Sequence, residues 1–306
     1  MRFTKMHGLG NDYVYVNCFE ERVADPVSLA RAISDRHRGV GSDGLILIRP
    51  SERADVRMEM YNADGSRAQM CGNGIRCVAK YACEHGLFDR RRPLESRPPN
   101  GPVTAWRDSR AAPPPSRILP LEVESDAGLH PMALAVEPTG QRVSRVCVDM
   151  GPASLRPSDL PCTLAGEQIV DRAVEIGGKE YRLTCVSMGN PHVVIFVDDT
   201  EAVNLATEGP PIENAPIFPR RTNVHFAQVL GRDRVRMRTW ERGSGPTQAC
   251  GTGACAVAVA AVLAKGANRD LLVSLPGGEL EISWRPDGHV YLTGPAVEVF
   301  TGDWPK

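Results

Sequence analysis

Two hexapeptides far apart in the chain, Gln69-Met70-Cys71-Gly72-Asn73-Gly74 and Gln248-Ala249-Cys250-Gly251-Thr252-Gly253, share the pattern Q-x-C-G-x-G. Each opens a run rich in small apolar residues that stops at a glycine, the first at His85-Gly86 and the second at Lys265-Gly266. A basic residue followed by glycine is a common way for a helix to end. The repeat therefore predicts a duplicated fold with two helices, each headed by a cysteine. At a helix N-terminus the outward N–H groups and the positive end of the helix dipole favour a thiolate. Two such thiols point to chemistry on both faces of one atom. The glycines beside them would let the backbone approach a ligand carboxylate.

The segments before each hexapeptide repeat as well. β-branched and aromatic residues over Asp12–Asn17, the apolar run Leu45–Ile48 and the alternating Arg57–Asn62 predict strands ahead of the first, with a helix over Ser28–Arg38 between them. Ala133–Val136, Arg145–Met150, Tyr181–Val186, Val193–Val197, Asn223–Val229 and Arg234–Trp240 read as strands ahead of the second. Leu271–Leu275, Glu279–Trp284 and Val290–Thr293 follow it. The second helix, Ala254 to Ala264, is apolar on every side and must be buried all round. The first carries Arg76, Lys80 and Glu84, which predicts one wet edge. The fold class expected is α+β, with two pseudo-symmetric domains. Each would be a curved, mostly antiparallel sheet wrapped around a central helix, with the active site in the cleft between them. The first domain would span 1–142, completed by the C-terminal segment 295–306, and the second 143–294. Prolines and arginines crowd the stretch at about 90–118, which resists helix and central strand and reads as a surface insertion, with a strand considered at 101–106.

A formal net charge of -1 gives no field for gathering nucleic acid or an anionic membrane. The first residues lack the apolar stretch of a signal peptide, and no run reaches transmembrane length. Nine cysteines without a C-x-x-C pair read as reduced thiols in a cytoplasmic protein. Cys71, Cys77 and Cys83 are spaced by six, a rotation of about 240° per step on a helix, so they cannot share a face and a zinc site is not expected.

Seven motifs follow one another in a fixed order: Met6-His7-Gly8-Leu9-Gly10-Asn11-Asp12, Asn62-Ala63-Asp64-Gly65-Ser66, Cys71-Gly72-Asn73-Gly74-Ile75-Arg76-Cys77, Met188-Gly189-Asn190-Pro191-His192, Thr222-Asn223-Val224, Glu241-Arg242-Gly243 and Ala249-Cys250-Gly251-Thr252-Gly253. In this set the chain resembles the diaminopimelate epimerases, amino-acid epimerases that need no pyridoxal phosphate or other cofactor. The resemblance implies Cys71 and Cys250 as the acid/base pair, with His192 and Glu241 adjusting their proton affinity. It implies Asn11, Asn62, Asn190, Asn223, Glu241 and Arg242 as substrate ligands, with Gly72, Asn73, Gly251 and Thr252 supplying backbone or short side-chain contacts. The activity implied is interconversion of LL- and meso-2,6-diaminoheptanedioate, for lysine and peptidoglycan precursors, by a cytoplasmic homodimer.

These residue types suit such a substrate. A diamino-dicarboxylate needs donors for carboxylates and acceptors for ammonium groups, and an asparagine amide offers both. The Arg242 guanidinium is a planar fork for a carboxylate. Read singly, Asn11 and Asn62 would be turn residues, His192 a loop histidine and Glu241 an ion-pair partner of Arg242. Gly44, His225 and Pro246 depart from residues common in the family. Two other readings stand beside the first: a cofactor-independent racemase of another amino acid such as histidine, and a thiol redox or binding protein.

Overall fold

The computed structural model describes residues 1–88, 101–103, 117–137 and 142–305. Most of the proline-rich stretch lies outside the described residues; within it, Pro102 and Val103 are helical rather than extended. Among the described residues, one compact unit takes those up to 149 together with those from 293 onward, and the other takes 150–292.

In the first unit, strands β1 (Arg2–Gly8), β2 (Asn11–Asn17), β3 (Gly44–Arg49), β4 (Val56–Asn62), β6 (Ile118–Ser125), β7 (Gly128–Val136) and β8 (Val143–Pro152) form a mixed sheet. The late strand β18 (Val297–Asp303) pairs on the free side of β1. Its order is β18-β1-β2-β3-β4-β6-β7-β8, antiparallel except at β2–β3 and β4–β6, and the short β5 (Arg67–Ala68) shares the edge of β4 with β6. The second unit repeats the plan. Its order is β9 (Arg172–Ile176), β10 (Lys179–Ser187), β11 (Pro191–Phe196), β12 (Asn223–Gly231), β13 (Arg234–Glu241), β15 (Asp270–Leu275) and β16 (Gly278–Trp284), with β14 (Gly245–Thr247) beside β15 on β13. The two parallel pairs again fall at the third-to-fourth and fifth-to-sixth places of the order, β11–β12 and β13–β15. β17 (His289–Gly294) follows in chain order.

Each sheet is covered on both faces. On one face of the first, Val14, Val16, Leu45, Leu47 and Tyr61 pack with Ala30 and Ile33 of α1 (Pro26–Ser34). The alternate residues turn toward α2 (Gly72–Glu84), which packs on β1, β2, β4, β6 and β7. In the second, Leu183, Val193, Ile195, Val224 and Phe226 pack with Leu205 and Ile212 of α3 (Leu205–Glu213), while α4 (Gly251–Lys265) lies against β10, β11, β12, β13, β15 and β16. Burial of α4 from Gly253 through Ala261 agrees with its all-round apolar sequence, and it ends on left-handed Gly266.

Two local readings need correction, and one helix, α3, was not foreseen. The first helix starts earlier and stops sooner than Ser28–Arg38. Asp25 caps it by accepting from Ser28 N at 3.1 Å, Pro26 fits its first turn, and Asp35 Oδ1 accepts from the N–H groups of His37 and Arg38 to turn the chain away. α3 forms despite Pro210 and Pro211: Asn204 caps the N–H groups of Ala206 and Thr207, and Trp240 packs so closely on Gly209 that any side chain there would run into its ring. The wet edge of α2 is absent, since every residue from Gly72 to Cys83 is buried. Arg76 has no exposure at all, and Lys80 ends on Glu84 Oε1 at 2.6 Å and Val143 O at 2.8 Å.

The cysteines lie 179 residues apart (71 to 250), and the ladders keep that offset. Tyr13 lies opposite Gly44 in the first sheet and His192 opposite Asn223 in the second. Ile46 faces Met60, and His225 faces Thr239. Asn11 corresponds to Asn190 and Asn62 to Glu241 by the same count.

Candidate active site

Both cysteines are helix N-caps with extended backbones, Cys71 at φ −139°, ψ 119° and Cys250 at φ −121°, ψ 106°. Each carbonyl accepts the first helical N–H at 2.9 Å, from Ile75 and Ala254 respectively. The first-turn N–H groups of each helix therefore point toward the thiol side, where they favour negative charge. The last glycine of each hexapeptide serves packing beneath the helix end. A Cβ on Gly74 would stand 2.7 Å from Ile46 Cδ1; one on Gly253 would overlap the His225 ring and stand 3.0 Å from Cys250 Sγ. At these two positions glycine lets the helix end close onto the neighbouring strand.

In the first unit, Cys71 Sγ accepts from Gly74 N at 3.4 Å and donates to Asn11 Oδ1 at 3.3 Å. Asn73 Nδ2 donates to the same oxygen at 3.3 Å, and Asn11 Nδ2 donates to Asp43 Oδ2 at 2.7 Å. Asp43 thus fixes which way the Asn11 amide faces. Asp43 is in turn bridged by Arg36 at 2.9 Å to Asp12, which also pairs with Lys5. Asn73 is held by Arg76, whose guanidinium donates to Asn73 Oδ1 at 2.8 Å, Gly72 O at 2.9 Å and Pro295 O at 3.2 Å. Tyr13 lies beside Cys71 and Asn11; burial above all, and then the negative charge of a Cys71 thiolate, raises its phenol well above the usual range. Asn62 ends β4 in a turn closed by Ser66, with Nδ2 donating to Ser66 Oγ at 3.0 Å. Gly44 is a packing residue, because a Cβ there would strike the Tyr61 carbonyl and the Tyr13 ring. Asp43 and Tyr13 lie outside the seven motifs, and Arg76, though inside the third, reads in the sequence only as part of a wet helix edge.

In the second unit, Cys250 Sγ lies 3.8 Å from Thr252 Oγ1, which accepts from Asn190 Nδ2 at 3.5 Å. Asn190 Oδ1 is 2.9 Å from His192 Nε2, His192 Nδ1 is 2.8 Å from His225 Nε2, and His225 Nδ1 is 3.0 Å from Thr239 Oγ1. Asn223 accepts from Arg242 N at 3.0 Å and donates to Pro191 O at 2.9 Å, joining β11, β12 and the end of β13. Glu241 accepts from Thr247 Oγ1 at 2.6 Å, and the Arg242 guanidinium donates to Arg220 O at 3.3 Å while staying exposed. Within each unit, then, the asparagine, the cysteine and the short polar residue after it come together. Asn62 and Arg242 stand among turn residues.

The two histidines are buried, and desolvation is the first cause of their depressed basicity: His225 is pushed down to about 3, and His192 falls well below its usual value, helped by His225 and Arg242. In the unfolded chain both take up a proton near pH 6.5. The unfolded state therefore binds more protons below that pH, and stability present above 6.5 is lost as pH falls toward the folded values. Each group contributes about 1.4 kcal/mol per pH unit in that window. Thermal unfolding is expected at a lower temperature at pH 5.5 than at pH 7.5, and His225→Gln should reduce the difference. An unchanged melting temperature would mean that the imidazoles are solvated.

Solved proteins share this architecture. A probable proline racemase from Agrobacterium radiobacter matches at a TM-score of 0.66 with 15% identity, over 99% of this chain and 92% of its own. A phenazine biosynthesis protein from Bacillus anthracis matches at 0.61 with 15% identity, over 99% and 98%. At such identities the likeness is one of fold, and it defines the class: a duplicated α+β protein with one central helix per half. The sequence goes further. The profile of the diaminopimelate epimerase family matches residues 3–109 and 184–299. Diaminopimelate epimerases from Agathobacter rectalis and Moorella thermoacetica are 47% and 48% identical to the chain, covering 99% and 100% of it and 99% of their own lengths. The chain belongs to the diaminopimelate epimerase family, and its class of activity is that of an isomerase.

Proposed function

We propose that the protein interconverts LL- and meso-2,6-diaminoheptanedioate, with Cys71 and Cys250 as the two acid/base groups. The observation that supports this most is the repeated construction around the two thiols. Each is an extended N-cap on a buried helix, with an asparagine at matching positions, Asn11 bonded to the Cys71 thiol itself and Asn190 to Thr252 beside the Cys250 thiol. One thiolate takes the α-proton of the substrate, and the electron pair left on carbon is delocalised into the adjacent carboxylate. The other thiol delivers its proton to the opposite face, which inverts the centre and leaves the two sulfurs with exchanged protonation. Helix N-terminal N–H groups stabilise the charge that develops on the carboxylate. Both acid and base come from the chain, so the reaction needs no cofactor.

Asn11, Asn62, Asn73, Asn190, Asn223 and Thr252 supply paired donors and acceptors for the amino-acid groups, together with the N–H groups of Gly72 and Gly251. Arg242 takes the carboxylate of the non-reacting end. His192 and Glu241 set the proton affinity of the thiols. Arg242→Ala should raise KM for diaminopimelate by about tenfold or more, because a charge-assisted bidentate contact is lost. Wild-type kinetics in that variant would place the distal carboxylate elsewhere. Coupled assay of LL-to-meso conversion against a panel of other amino acids, histidine included, tests the substrate directly; turnover of another amino acid in preference would refute it. No disulfide joins any of the nine cysteines, as expected of a protein that works in the reducing cytoplasm. No helix among the described residues is long and apolar enough to cross a membrane. A homodimer is the assembly proposed, and sedimentation velocity at micromolar concentration tests it.

A further inference from the structure

The polar chain that leads away from Cys250 runs deeper than substrate contact requires. Its members are Thr252, Asn190, His192, His225 and Thr239, and the last three are buried. The first unit shows what the fold needs at those places. Counting back 179 residues, His192 corresponds to Tyr13, His225 to Ile46 and Thr239 to Met60. In one repeat Ile46 packs under the helix-end glycine Gly74; in the other an imidazole does so under Gly253. An apolar side chain satisfies the packing, and burying an imidazole costs free energy unless it is hydrogen-bonded. His225 is therefore not a packing choice.

The donors and acceptors in this chain fix one another. Asn190 Nδ2 donates to Thr252 Oγ1, so the Asn190 oxygen faces His192 and can only accept. His192 Nε2 must then carry a hydrogen. A neutral His192 has a bare Nδ1, which accepts from His225 Nε2–H. A neutral His225 has in turn a bare Nδ1, which accepts from the Thr239 hydroxyl. Direction runs one way, from Thr239 to Thr252, next to Cys250.

We propose that His225 is a positioning residue, which by donating to His192 Nδ1 holds His192 as its neutral Nε2–H tautomer. Through His192 it fixes the Asn190 amide with its oxygen inward and its nitrogen toward Thr252 and the α4 N-terminus. The glycine at 253 is part of the device, since a Cβ there would stand 2.9 Å from His225 Nε2 and displace the ring. The inference rests on the proposed function only where it uses Asn190 and Cys250 as site residues.

The test begins without activity. Long-range proton–nitrogen correlation NMR on histidine-labelled protein at pH 7.5 should show both imidazoles neutral and both protonated at Nε2. Epimerase assays follow on two variants. His225→Leu keeps volume without a donor and should lower kcat/KM by about 10–100-fold, the usual loss for a partner that orients a site residue. His225→Gln retains a donor near the Nε2 position and should recover most of that loss, to within about threefold, with His192 still protonated at Nε2. If His225→Leu does not fold, the native tautomers and the glutamine variant decide. His192 found protonated at Nδ1, or His225→Leu at wild-type kcat/KM, would overturn the proposal. Wild-type protein that inverts no diaminopimelate would sink the functional reading alone, because the tautomer result stands or falls separately.

Discussion

Cys71→Ala and Cys250→Ala should each lower the epimerisation rate by on the order of 10³-fold or more, the loss typical of a removed general acid or base. That is about 4 kcal/mol of barrier. The fold should hardly notice. Cys250 makes no side-chain cap, and the cap bond that Cys71 Sγ accepts from Gly74 N is long at 3.4 Å, so loss of the cap costs about 0.5–1 kcal/mol. Cys71→Ser separates the two roles. A hydroxyl caps a helix well but does not ionise near neutral pH, so the serine variant should melt like wild type and remain inactive. Circular dichroism melts beside initial rates check both halves; a serine variant with near wild-type turnover would remove Cys71 from the chemistry.

The largest effect on stability is expected at Arg76. Its side chain is fully buried and donates to Gly72 O, Asn73 Oδ1 and Pro295 O, tying the first turn of α2 to the chain just before β18. Arg76→Ala leaves a cavity and acceptors without their charged donor, and should cost about 3 kcal/mol or more. For a chain of this size that is a fall of roughly 6–12 °C in melting temperature. Arg76→Lys should recover little, because one ammonium cannot span three divergent acceptors. Activity should fall as well, since Asn73 is held by Arg76 and in turn donates to Asn11. A melting temperature unchanged by Arg76→Ala would mean that the buried guanidinium is energetically neutral.

Arg76 also shows where reading the sequence stops. Hydrophobic periodicity treats an arginine on a helix as solvent-facing. Here the guanidinium turns back onto its own first turn, which no periodicity encodes. The all-apolar run of α4 left no such choice, and its burial could be read directly. α3 was hidden by Pro210 and Pro211, whose cost is overridden by the Asn204 cap and by Trp240 packing on Gly209. The two cysteines stood out because their hexapeptide repeats, whereas Asn11 and Asn190 were singled out only through the family resemblance. His225 was noticed only as a departure, and Tyr13 not at all. The signal for both was present: laying the chain on itself at the spacing of the two cysteines sets His192 on Tyr13 and His225 on Ile46. Gly44 is explained the same way. It stands where the other repeat has Asn223, but its Cβ position is filled by the Tyr61 carbonyl and the Tyr13 ring, so the asparagine's part has no counterpart in the first unit.

The two-thiol mechanism is tested most directly by running the reaction in D₂O and following hydrogen at the inverted carbon by NMR and mass spectrometry. A thiol carries one proton, and the one that delivers it exchanges with solvent before substrate binds. Early in the reaction, product should carry solvent deuterium at the inverted centre while unreacted substrate stays protiated. Protium carried from substrate into product, or deuterium appearing in substrate as fast as in product, would mean that one base serves both faces and would contradict the assignment of Cys71 and Cys250 to opposite faces.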